Sequence, residues 1–174
     1  MKRKVLIVAA ALALAACATA GSEPVSGTIA VTGEDYGFSG VPEVVASGAE
    51  LTFTNGSGAE VHEMVVLKVA DLETRTIEEL LALPEEESET LAEFQGLLVA
   101  LPGEAGANPE GAGTSITVTE PGRYALVCFI PQGADPAAVA EAMQGGAEGP
   151  PDLGDGTPHA LIGMWAEFQV EDAA

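Results

Sequence analysis

From Thr28 onward, apolar and polar side chains alternate in short runs, the period of strands with one buried face. Thr28-Ile29-Ala30-Val31-Thr32 is the first run, followed by an irregular piece holding Tyr36 and Phe38. Gly48 leads into Glu50-Leu51-Thr52-Phe53-Thr54, and Asn55-Gly56 after it is a turn signal. Val61 to Val69 is a third β-rich run, and Ser115–Val118, Arg123–Ile130 and Met164–Val170 are three more. Glu120-Pro121-Gly122 reads as a turn between two of them. Two stretches depart from this period. Residues 71–101 carry helical spacing from Thr76 to Leu83 and again from Leu91 to Leu98, with Pro84 between. In residues 132–146, Asp135 suits a helix N-cap, Pro136 the first helical position, and Gly145-Gly146 the end. Gly/Pro-rich loops at 102–113 and 145–158 flank these excursions. The pattern predicts an all-β sandwich with short peripheral helices at 76–83 and 135–143.

The N-terminus follows another logic. Met1-Lys2-Arg3-Lys4 is basic, and Val5 to Ala16 is an unbroken apolar run of 12 residues. That is a secretory signal pattern, too short for a membrane span of about 20 residues. Leu14-Ala15-Ala16-Cys17 resembles the lipobox of bacterial lipoproteins, which implies cleavage before Cys17 and acylation of its thiol. Two or more acyl chains anchor stably where one is marginal. The expected organisation is a signal peptide at 1–16, a lipidated tether at 17–26 and one domain at 27–172. The expected location is the outer face of a bacterial membrane.

Charge narrows the partners. The precursor has 27 acidic and 6 basic side chains, and the basic ones left after cleavage are Lys68, Arg75 and Arg123. Three cations against 27 carboxylates give a mature formal charge of −24. Such a field repels nucleic acid and offers an anionic bilayer no basic patch, so lipid on Cys17 is the expected membrane contact. Acylation of Cys17 leaves Cys128 as the one thiol, so no internal disulfide can form. A lone thiol in an oxidising compartment is either buried and inert or bound to a metal.

His62, Cys128, His159 and Met164 are the side chains suited to hold such a metal. Both histidines of the chain sit beside strands, and four residues separate His159 from Met164. Two imidazoles, a thiolate and a weak axial thioether are the donor set of electron-transfer copper centres. Each residue alone has a plainer account: Cys128 in Ala-Leu-Val-Cys-Phe-Ile has the surroundings of a core cysteine.

In the order of its motifs the chain resembles the cupredoxins, the plastocyanin and azurin type of blue copper protein. The matching residues are Asp35-Tyr36-Gly37-Phe38, Gly48 before Leu51-Thr-Phe-Thr-Asn55, and His62-Glu63. Pro121-Gly122-Arg123-Tyr124 leading to Cys128, and His159 and Met164 before Phe168-Gln169-Val170, continue the match. It covers roughly residues 27–70 and 114–170. The resemblance implies a Greek-key sandwich and one type 1 copper held by His62, Cys128, His159 and Met164. It implies single-electron transfer with a redox protein partner. One departure stands out: 30 residues separate Cys128 from His159, where the family has only a few. Lengthening a loop from about 3 to 30 residues costs roughly 2 kcal/mol in closure entropy, which a folded excursion can tolerate.

The functional expectation is therefore a lipid-anchored copper electron carrier. The alternatives are a copper capture and delivery module, or a metal-free scaffold binding a protein or envelope component. No nucleophile elbow, phosphate loop or HExxH motif appears, and enzymatic activity is not expected. Cys17→Ser should abolish lipidation, leaving the protein as uncleaved precursor or released. A variant that stayed in salt-washed membranes with a mature N-terminus would refute the lipobox.

Overall fold

A computed structural model describes residues 22–88, 90–145 and 153–173. The signal segment and Cys17 lie outside the described residues, as do residues 146–152, the first part of the Gly/Pro-rich loop read at 145–158. Among the described residues nine strands form two sheets packed face to face. In chain order they are β1 (Thr28–Glu34), β2 (Gly37–Ser39), β3 (Val44–Ala46), β4 (Ala49–Asn55) and β5 (His62–Val69). Then follow β6 (Ala92–Ala100), β7 (Ser115–Val118), β8 (Gly122–Val127) and β9 (Trp165–Glu171). One sheet runs β2-β1-β4-β7 and the other β3-β9-β8-β5-β6. The strand order is mixed, since β1 pairs with β4 and β3 with β9 in parallel. This is the expected all-β sandwich.

The core lies between the sheets. Ile29 and Val31 of β1, Leu51 and Phe53 of β4, and Ile116 and Val118 of β7 point inward from one side. Met64, Val66, Leu98, Tyr124, Leu126, Phe168 and Val170 meet them from the other. Tyr124 stacks on Phe168 at 5.4 Å, and its hydroxyl donates to the Glu120 carbonyl at 2.8 Å. That bond keeps a polar tip satisfied at the foot of β8 while the ring fills the core.

The two sheets differ on their outer faces, and the sequence shows why. In β1 and β4 every second residue is exposed or half-buried, so the apolar face alternates cleanly. In β8, Tyr124 to Val127 are all buried, because the outer face is also covered. Ala125 and Val127 pack there against Ile77 and Leu80 of a short helix, α1 (Ile77–Leu81). Thr76 caps α1 in a capping box with Glu79, as the Thr-x-x-Glu spacing requires. A second turn, α2 (Glu85–Ser88), follows Pro84. The third helix, α3 (Pro136–Gly145), starts where Asp135 accepts a hydrogen bond from the Ala137 amide at 2.9 Å.

One expectation is corrected and two are made specific. The helical reading of Leu91 to Leu98 is wrong: Ala92–Ala100 is β6, paired antiparallel with β5 along its length. A register shift between Val66 and Leu67 accompanies the pairing, and this bulge is what disguised the period of two. Gly96 leaves room for Ile116 of the facing sheet, whose side chain would stand 3.0 Å from an added Cβ. Second, the Asn55-Gly56 turn leads the chain from one sheet to the other, since β4 and β5 belong to different sheets. Asn55 is a buried corner post: its amide nitrogen donates to the carbonyls of Glu60 and Ala100 at 2.9 and 3.0 Å. Its carbonyl oxygen accepts from the Ser57 amide at 2.9 Å. Third, the piece around Tyr36 and Phe38 is a two-residue hairpin, Asp35-Tyr36, joining β1 to β2.

Asn55→Ala should lower stability by about 2–4 kcal/mol, since it orphans two buried carbonyls and an amide at the sheet crossing. Urea unfolding followed by tryptophan fluorescence measures it, and a loss below about 0.5 kcal/mol would show that the corner is held elsewhere.

Candidate metal centre

His62 opens β5 directly after the Asn55 corner, while Cys128 follows the last residue of β8. Since β5 and β8 are neighbours in one sheet, the two residues share an end of it. His159 and Met164 come from a single turn of 3₁₀ helix (His159–Ile162) and the residue before β9, the other neighbour of β8. All four expected ligands thus reach one end of the sandwich.

The 30-residue separation between Cys128 and His159 is closed at its base. The His159 amide donates to Ile130 O at 3.0 Å and the Gln132 amide to Thr157 O at 3.0 Å, with an antiparallel bridge between Pro131 and Pro158. Gly156 permits the approach: a Cβ there would lie 2.1 Å from the Gln132 carbonyl oxygen. Above the pinch, Val139 of α3 and Ala134 pack with Ile130, Cys128 and Met164 in one apolar cluster. The ligand loop is therefore short in space although long in sequence. Further bonds link the ligands through their backbones. Ala160 N donates to Cys128 O at 2.7 Å, Cys128 N to Met164 O at 3.2 Å, and Met164 N to His159 O at 2.9 Å.

The side chains converge as follows. The Nδ1 atoms of His62 and His159 face each other at 3.2 Å, and Cys128 Sγ lies 3.4 Å from His159 Nδ1. All three donor atoms lie within 4.8 Å of one another, and all three residues are fully buried. Met164 is also fully buried, in the same cluster as Cys128. Gly33 of β1 leaves space beside it: a Cβ there would meet Phe53 at 2.9 Å and the Met164 methyl at 3.2 Å. Tyr36, held at φ 63°, sets its ring edge-on to His159 at 5.1 Å and accepts a hydrogen bond from Gln132.

Two facing imidazole nitrogens need a proton or a cation between them, since two lone pairs at this distance repel. An ion bound at about 2.0–2.1 Å from nitrogen and 2.3 Å from sulfur, with angles near 110–120°, sets donor separations of roughly 3.4–3.8 Å. The two separations from His159 Nδ1, 3.2 Å to His62 and 3.4 Å to Cys128, are within a few tenths of an ångström of that. Neither histidine Nε2 has a hydrogen-bond partner among the described residues. The site is electrostatically poor for charge of its own. Burial and the neighbouring His159 bring His62 down to about 4, against the pull of Glu60 and Asp35. Burial likewise lowers His159, opposed by Glu60. Burial pushes the Cys128 thiol up to about 12, although amides of Glu63 and Ile130 point at its sulfur. Without a cation the pocket holds neutral imidazoles and a thiol, and a bound cation would reverse that preference for Cys128.

Sequence reasoning gave the carboxylates around the ligands no role, although Glu63 stood in the family match beside His62. Glu63 accepts from the Phe129 amide at 2.9 Å and donates its own amide to Cys128 Sγ at 3.4 Å. Burial raises the Glu63 carboxyl, against the bond from Phe129. Glu60 accepts from the Gly133 amide at 2.9 Å and stands 3.6 Å from His159 Nε2. Their positions just before and after His62 were the only sequence signal.

No family model matches the chain, and no curated protein does. Its structural neighbours include auracyanins. The dithionite-reduced auracyanin of Roseiflexus castenholzii is 16% identical over 85% of this chain and 98% of its own, with a TM-score of 0.46. Auracyanin A of Chloroflexus aurantiacus, a "blue" copper protein, is 18% identical over 85% and 99%, with a TM-score of 0.44. A multi-copper oxidase of Pediococcus acidilactici matches at 12% identity, covering 98% of this chain but 31% of its own, with a TM-score of 0.38. Likeness of this degree leaves the chemistry to be decided by the residues of the chain itself.

In the metal-free protein the His62 ring should stay neutral down to about pH 4. Its pKa in the fold lies below the value near 6.5 of an unfolded histidine, so between the two the unfolded chain binds a proton that the fold refuses. His62 thus favours the fold least at low pH, its contribution present above pH 6.5 and lost as pH falls towards 4. Imidazole proton shifts followed by NMR check this, and a midpoint near 6.5 would contradict the burial.

Proposed function

We propose that the chain is an electron carrier with one type 1 copper, held by His62, Cys128, His159 and Met164. The observation that carries this reading is the convergence of two imidazole Nδ1 atoms and one cysteine sulfur in a fully buried pocket. Copper bound there would supply a one-electron couple. His62 and His159 would offer neutral imidazoles, Cys128 a thiolate, and Met164 a weak thioether. The amides of Glu63 and Ile130 aimed at the Cys128 sulfur would disperse the thiolate's charge. Full burial of all four ligand side chains excludes water from the site and leaves a partner protein no free ligand to exchange with. That favours electron transfer over copper delivery, since handing over a metal requires incoming ligands to reach it.

The N-terminal pattern supports export and anchoring through lipid on Cys17, with the domain facing a redox partner at the membrane surface. No helix among the described residues is long and apolar enough to cross a membrane. Among the described residues all strands lie between residues 28 and 171, and Val25 just before them is tied to β3 by backbone bonds to Val44 and Ala46.

Cu(II) added to protein lacking residues 1–17 should bind one to one and give an intense visible thiolate-to-copper band. Cys128→Ser should remove the band. Met164→Leu should keep copper but raise the potential, because the thioether stabilises the oxidised ion. Stoichiometric binding of Zn(II) with no coloured Cu(II) complex would sink the electron-transfer reading.

A further inference from the structure

A histidine carried on a 30-residue loop is positioned only if something outside that loop holds it. Glu60 is the residue placed to do so. It sits in the corner between β4 and β5, and its own backbone is tied at both ends. Its amide donates to Ser57 Oγ at 3.1 Å, and its carbonyl accepts from the buried Asn55 at 2.9 Å. From that fixed base a single carboxylate oxygen, Oε2, accepts from the Gly133 amide at 2.9 Å and lies 3.6 Å from His159 Nε2. One oxygen thus spans both ends of the long excursion: Gly133 near its start and His159 at its close.

The imidazole needs such a partner. His159 is fully buried, and its Nε2 makes no hydrogen bond among the described residues. On the opposite side of the ring, Nδ1 faces His62 Nδ1 and Cys128 Sγ. A neutral imidazole has one N–H and one lone pair. A carboxylate near Nε2 favours the hydrogen there, which leaves the Nδ1 lone pair directed at the other donors. The Glu60 side chain is 21% exposed, so its carboxylate keeps contact with water while reaching inward.

We infer that Glu60 is the positioning residue of the site: it fixes His159 as its Nε2–H tautomer and pins the 130–159 excursion to the β4–β5 corner. The inference concerns the metal-free protein first and meets the copper reading only where it predicts a potential. Long-range ¹H–¹⁵N correlation spectra of the metal-free domain at pH 8 read the tautomer directly. Wild-type His159 should show the Nε2–H pattern, and Glu60→Ala should populate the Nδ1–H form. Glu60→Gln should restore the wild-type pattern, since its carbonyl oxygen can take the same place. With copper bound, Glu60→Gln should shift the reduction potential upward, because a negative charge beside a ligand stabilises the oxidised ion. An Nδ1–H pattern in the wild type, or His159 signals unchanged in Glu60→Ala, would overturn the inference. Should Glu60→Ala not fold, the wild-type and Glu60→Gln tautomers still decide. A wild type with the Nε2–H pattern that bound no copper would support the role of Glu60 and refute the copper reading.

Discussion

The backbone pinch that brings Ile130, Pro131 and Gln132 against Thr157, Pro158 and His159 is the constraint on which the site depends. Cys128 belongs to the rigid end of β8, whereas His159 stands on the far side of a long excursion. Two backbone hydrogen bonds and one tight glycine, Gly156, make that excursion start and end at the same place. Closure entropy grows only slowly with loop length, so a loop so clasped can carry a helix without loosening its ends. The bonds from Ala160 to Cys128, from Cys128 to Met164 and from Met164 to His159 then knit the two loop ends to each other. Ligand geometry passes through backbone bonds rather than through loop length.

Burial gives this geometry its chemical meaning. An exposed His-Cys-His cluster would titrate freely and oxidise. Inside, desolvation holds the imidazoles neutral and the thiol protonated, and the two Nδ1 atoms stand at a distance that suits a shared ion. The acidic surface sharpens the contrast. Lys68, Arg75 and Arg123 each pair with a nearby glutamate, Glu120, Glu73 and Glu167. Ion pairs at the surface add little stability, and each of these keeps one partner at least partly exposed, so the fold rests on its core and on corner posts such as Asn55 and Tyr124. Glu60 and Glu63 turn inward, and both hold loop amides beside the ligands.

The sandwich was legible in the sequence because its clearest strands are half-buried. The alternation of β1, β4 and β9 is the direct image of one wet and one dry face, while the spacing from Thr76 to Leu83 and the cap at Asp135 announced their helices. The candidate ligands were legible as a set of rare residue types in a telling order. What could not be read locally was wherever tertiary contact overrode the local period. β6 looked helical because a bulge and a glycine packed against Ile116 break its alternation, and only pairing with β5 makes it a strand. Asn55-Gly56 read as a turn, but turn chemistry is the same whether the chain turns back or crosses to another sheet, so the crossing itself was not legible. The sequence by itself determined which residues could be ligands and which faces would be buried, since both follow from side-chain chemistry and spacing. Only the tertiary structure decided that Cys128 and His159 meet and that Glu60 stands behind the second histidine. Those are distances between residues far apart in the chain, set by sheet pairing and by the pinch, and no local pattern encodes them.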